Sequence, residues 1–201
     1  MDAAEAAHPG GATEAGPGTG RGAAAPWLIL LTRLPSEPAR HRMAVWRELR
    51  RSGAVALGSS AWAVPNLPAT RPVLERLRHL AERAGGSLVA LDADGHDAQD
   101  TTALTRRYED ARVDEWAEFT RDCGKYLDEI AKEQRLGKFT LAELEEEEQS
   151  LDRLRRWYRE LRGRDLLGTT SMAEATTRLK ECEATFEQYA EQVYAALGSP
   201  F

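Results

Sequence analysis

A chain of 201 residues, 42% hydrophobic and 30% charged, is long enough to bury a core without disulfide or metal staples. Its only cysteines, Cys123 and Cys182, have no Cys-x-x-Cys or Cys/His cluster around them, which argues against a disulfide framework or zinc site and for a reducing cytoplasm. The net charge of −6 hides a division, because residues 26–91 carry ten arginines against four acids and residues 92–201 carry 16 basic residues against 26 acids. A basic block joined to an acidic one marks a polyanion-facing module fused to a solubilising or protein-binding module.

Met1–Ala25 is built of Ala, Gly, Thr and acids, with no cationic start, and the longest apolar run after it is Pro26 to Leu31. A disordered tail is expected there, with neither a signal peptide nor a membrane span. Trp27–Arg33 (WLILLTR) reads as a central strand. Ser36-Glu37-Pro38 starts a helix that runs to about Ser52 and ends at Gly53. Ala54–Leu57 and Ser60–Val64 form a hairpin about Gly58-Ser59. Thr70 and Pro72 open a second helix, stopped by Gly85-Gly86, and Ser87–Leu91 is a fourth strand. The order β-α-β-β-α-β predicts an α+β fold, the ferredoxin-like split βαβ plan with two helices on one face of an antiparallel sheet, over residues 26–95.

Projected at 100° per residue, the first helix sets Arg47 and Arg51 within about 20° of Arg40 as one outward stripe, with Ala39, Met43, Trp46 and Leu49 on the opposite, buried arc. Guanidinium groups stacked without an acid in their row repel one another, so a phosphate-rich partner or a plain solvated face are the two readings. Arg42 projects into the apolar arc. It is expected to find a carboxylate or carbonyls at the helix–sheet seam, or to reach round to an anion. Trp62 either packs under a helix or offers a stacking surface.

Beyond Leu91, "DADGHDAQD" is an acidic linker ahead of a helix N-terminus, since it lacks the calcium-loop spacing. Three helices are expected over residues 102–198. The first carries Leu104, Tyr108, Ala111, Glu115, Phe119, Tyr126, Leu127 and Ile130 as a mostly apolar stripe and ends at Gly137. Capping boxes at Thr140–Glu143 and Ser171–Glu174 start the other two. Their narrow seams predict a long helical hairpin or three-helix bundle. The run Glu143–Glu148 is either the wet face of that hairpin or an acidic lid that competes with DNA for the arginine stripe. The sequence has no nucleophile, paired-carboxylate, phosphate-loop or dinucleotide signature.

The run Trp27–Leu31, Leu34-Pro35, Arg42, Val45-Trp46-Arg47, Leu49, Gly53–Leu57, Ser60 and Val64-Pro65, with Leu104, Tyr108, Ala111-Arg112 and Trp116 further on, resembles the N-terminal domain of the bacterial chromate-resistance regulators of the ChrB family. That resemblance implies DNA binding by basic residues of the first domain. Arg42 and Arg47 match the family pattern around the tryptophan; with Arg40, Arg50 and Arg51 they are the candidate nucleic-acid contacts. It also implies chromate oxyanion as an effector, although the family's longer members carry a second chromate-resistance domain that these residues do not match. The hairpin resembles, more distantly, the dimerising domain of the phenylacetate repressor and the small nucleases of CRISPR adaptation. In those nucleases a metal-holding aspartate ends the first strand; Thr32-Arg33 stand in its place, which disfavours metal-dependent cleavage. The expectation is a cytoplasmic, homodimeric regulator that binds DNA, without enzymatic activity, metal or cofactor. The alternative is a non-catalytic interaction protein that uses its helical arm and does not touch DNA.

Overall fold

The computed structural model describes residues 26–198; the tail expected over Met1–Ala25 lies outside them. Four strands, β1 (Trp27–Arg33), β2 (Val55–Ala56), β3 (Ala61–Pro65) and β4 (Ser87–Ala93), make one antiparallel sheet in the order β2-β3-β1-β4. β1 takes a central place, as its unbroken apolar run requires. Helices α1 (Ala39–Arg51) and α2 (Arg71–Arg83) complete the ferredoxin-like plan. They cover the face carrying Leu28, Leu30, Trp62 and Val64, against which Val45, Leu49 and Leu77 are buried. Trp62 therefore packs under the helices, the first of its two readings.

The opposite face of the sheet is covered in part, around Trp27, Val55 and Ala63, by a third helix, α3 (Ala98–Leu136), while Leu31, Val89 and Leu91 on the same face stay exposed. Tyr108 is fully buried against Trp27, Val55 and Ala63, with its ring edge-on to Trp27 at 5.9 Å. Further along, Trp116, Phe119, Cys123, Tyr126 and Ile130 of the same helix form a second core with α4 (Leu141–Arg164) and α5 (Ser171–Ala196). One helix of 39 residues thus serves both sheet and bundle.

Several local signals act as their chemistry dictates, with corrections at four helix starts. Ser36 does not cap α1, which follows Pro38 without a side-chain cap, and the Thr70 hydroxyl donates to the Pro65 carbonyl rather than capping α2; the other two concern α3 and α5. Asp97 accepts the N–H groups of Gln99 and Asp100 at 2.8 and 3.0 Å, so α3 starts four residues before Thr102. Thr140 accepts the N–H of Glu143 at 3.3 Å, as the capping box demands. The second box does not form: α5 is preceded by Thr170 and has no side-chain cap. Asp165 is the reason. Its carboxylate takes the N–H groups of Gly168 and Thr169 and the Thr169 hydroxyl, and this turn delivers Thr170 already in helical conformation.

Candidate nucleic-acid interface

α1 buries Val45, Glu48 and Leu49, with Ser52 just beyond its end. The expected buried arc of Ala39, Met43, Trp46 and Leu49 is thereby corrected: on an ideal helix the true one lies about a third of a turn away. Met43 is 47% and Trp46 40% exposed. The cause is Glu48. Its carboxylate sits 2.9 Å from Arg76 of α2 and 3.3 Å from Arg51, so a charge can occupy the seam between the two helices because it is paired. With Glu48 turned inward, Trp46 is turned out.

The outward arc now runs through Arg42, Trp46, Arg50, Met43, Arg47, Arg40 and Arg51. All seven residues are exposed, and the helix has no acid in its first turn. Arg42 is a second correction: it lies in solvent, since the rotation that exposes Trp46 carries Arg42 with it. The five arginines divide into two groups. Arg51 is committed to Glu48, while Arg50 lies 5.1 Å above the Trp46 ring and 3.8 Å from Glu115 of α3. Arg40 donates from Nε to its neighbour His41 at 3.4 Å. Arg40, Arg42 and Arg47 have no carboxylate partner among the described residues. Three unneutralised guanidinium groups with an exposed aromatic between them make a surface suited to phosphates and to planar groups.

Two hollows flank Trp46. The smaller, of about 270 Å³, lies between α1 and the β2–β3 turn and includes Thr32, Leu34, Arg42, Ser59 and Ser60. The larger, of about 590 Å³, lies toward α3 and includes Arg50, Arg107, Asp114, Glu115 and Glu118. Their charges differ accordingly. The larger one sets three acids against Arg50, Arg107 and Arg112, whereas among the described residues Arg42 is the charged side chain around the smaller.

Below the arc, a buried polar cluster fixes α1 to the bundle. Arg112, 4% exposed, donates to the Gly53 carbonyl at 3.0 Å and lies 3.1 Å from Glu115. Arg164 approaches the same carboxylate at 3.4 Å. Tyr108 donates to the Arg164 carbonyl at 2.6 Å and accepts the Leu166 N–H at 2.8 Å, and its burial raises the phenol pKa. Trp116 donates its indole N–H to Asp165 at 2.9 Å. Sequence reasoning places Glu115 in an apolar stripe and misses this cluster. The signal available to it is the spacing of Tyr108, Arg112, Glu115 and Trp116, which puts all four on adjoining rows of one helix.

The acidic run splits. Glu145, Glu146 and Glu148 are exposed, Glu143 lies 3.2 Å from Lys138, and Glu147 is buried. The lid reading gains no support: among the described residues none of Glu143–Glu148 pairs with an arginine of the arc, and α4 approaches Glu48 and Arg51 through Arg156–Gly163, about 12 Å or more along the helix from the acidic run. Among the described residues no group of three His, Cys, Asp or Glu stands together as a metal site, and no helix is long and apolar enough to cross a membrane.

Comparison with known proteins adds the identity of the fold. The family described as "Protein ChrB, N-terminal" matches residues 42–200. The chain belongs to this family. Protein ChrB of Cupriavidus metallidurans is 32% identical over 93 residues, which cover 46% of this chain and 28% of that relative. No solved structure gives a significant match. The ChrB match takes in Arg42, Trp46, Arg47, Arg50 and Arg51 together with Tyr108, Arg112 and Trp116, so both the arc and the buried cluster lie inside it. Arg40 lies just outside.

Proposed function

We propose that this ChrB-family chain is a chromate-resistance-associated regulatory protein that binds DNA through the outward arc of α1, as a homodimer and with chromate as its effector. The observation that carries the DNA reading is the set of exposed guanidinium groups of Arg40, Arg42 and Arg47 on one arc, none of them paired with a carboxylate among the described residues. Phosphates neutralise such a row, and the counterions released from the duplex supply the driving force. Arg50 and Arg51 join the same surface, but each must first leave an acid, Glu115 or Glu48. The bundle, with its excess of acids, holds α1 from behind.

Binding of the full chain to DNA from upstream of a chromate-efflux gene of its own genome tests this. Affinity is expected to fall with a slope of about −3 or steeper in log K against log salt, and to change when chromate is added. Affinity that ignores salt, or no binding to any fragment, refutes the reading.

A further inference from the structure

Trp46 stands out of the core although it is the bulkiest side chain of α1, and an arginine one turn before it, Arg42, also stands free. We infer that the smaller hollow beside Trp46 receives a single base unstacked from nucleic acid lying along the arginine arc, with the indole as its stacking platform and Arg42 holding the adjoining phosphate. This rests on the DNA reading above and goes past it, because phosphate contacts alone carry no information about a base.

Size, walls and charge each point the same way. At about 270 Å³ the hollow falls just below the roughly 300 Å³ at which pockets begin to hold drug-sized ligands, which suits one planar heterocycle and is too small for a helix or a folded peptide. Its walls combine the faces of Trp46 and Leu34 with hydroxyls of Thr32, Ser59 and Ser60. Hydroxyls both donate and accept, so they suit the edge of any base. The Thr32 hydroxyl already donates to the Ser60 carbonyl at 3.2 Å and holds the turn against β1. Charge gives the direction. The hollow on the other side of Trp46 sets Asp114, Glu115 and Glu118 against Arg50, Arg107 and Arg112 and so has no net charge, whereas Arg42 makes the smaller one positive, so a strand tracking Arg47, Arg42 and Arg40 is steered to the smaller one. An acidic peptide would be satisfied by the guanidinium groups alone and gives the base-sized hollow no role.

The test compares the full chain's affinity for a fully paired duplex, for the same duplex with one bulged nucleotide, and for that bulge made abasic, by fluorescence anisotropy at fixed salt. The bulged duplex is expected to bind about ten-fold more tightly than the other two. Trp46→Ala removes that preference and Trp46→Phe keeps most of it, with the salt slope unchanged in both and the circular dichroism melt of each variant showing a folded chain. A Trp46→Ala protein that retains the preference, or a wild type with a steep salt slope and no preference, overturns the base site and leaves the arginine reading standing. Loss of all salt-dependent DNA binding in the wild type removes both, as does Trp46-dependent binding of an acidic peptide in place of the bulged duplex.

Discussion

Arg112 of α3 donates a guanidinium N–H to the carbonyl of Gly53, 3.0 Å away at the end of α1. The bond joins the bundle to the helix that carries the arginine arc, and it is made in a buried setting, with Glu115 3.1 Å from the same side chain. Replacing Arg112 by Met fills much of the volume but leaves the Gly53 carbonyl without its donor and removes one of three cations from Glu115. The expected cost is about 2–4 kcal/mol, read as a lower urea midpoint. A loss below about 0.5 kcal/mol would mean that water replaces the guanidinium.

Gly53 itself has no tolerated substitute. Its φ of +79° is unfavourable for any residue with a side chain, and a Cβ there would run into the Arg164 backbone carbonyl, which cannot swing aside as a side chain would. Gly53→Ala is expected to destabilise by at least about 2 kcal/mol. Gly58, with open space around it, is the control: Gly58→Ala should stay within about 0.5 kcal/mol of wild type by thermal or chemical unfolding.

Glu147 sets a pH dependence. Burial, followed by the carboxylates of Glu129, Glu146, Glu133 and Glu143, pushes its pKa up to about 7. The folded protein therefore binds a proton that the unfolded chain has released. Stability from this group is fully present below the unfolded carboxyl range and is lost as pH rises to about 7. Glu147→Gln removes the dependence and is expected to stabilise the protein by about 1–3 kcal/mol at pH 8 while changing little at pH 4. Urea midpoints of both proteins at the two pH values decide it, and equal gains at both would point to packing instead.

Most of the architecture is legible from residue patterns, because each signal there is local. The apolar run of Trp27–Leu31 places β1 centrally, Gly53 and Gly85 stop their helices in the left-handed region, and Thr140 caps α4. The candidate site is harder to read for a specific reason. Trp46 and Met43 look like core residues by hydrophobicity, whereas the rotation of α1 is decided by the pairing of Glu48 with Arg76, 28 residues further along the chain. A projection of α1 alone cannot contain that pairing. The same holds for Arg112 and Glu115, whose partners Gly53, Arg50 and Arg164 lie in two other helices or just beyond one. What local reasoning does isolate is the arginine set, and Arg40, Arg42 and Arg47 are the members that the tertiary structure leaves free.

Salt titrations of DNA binding decide whether that arc is the anion-facing surface. Log K against log salt is measured for the wild type, for Arg40→Ala/Arg42→Ala/Arg47→Ala, and for Arg51→Ala, whose guanidinium is already paired with Glu48. The triple change is expected to reduce the slope by about 2–3 units, close to one unit for each phosphate no longer neutralised, and Arg51→Ala by less than about half a unit. A triple variant that keeps the wild-type slope and affinity would contradict the assignment of the arc to DNA.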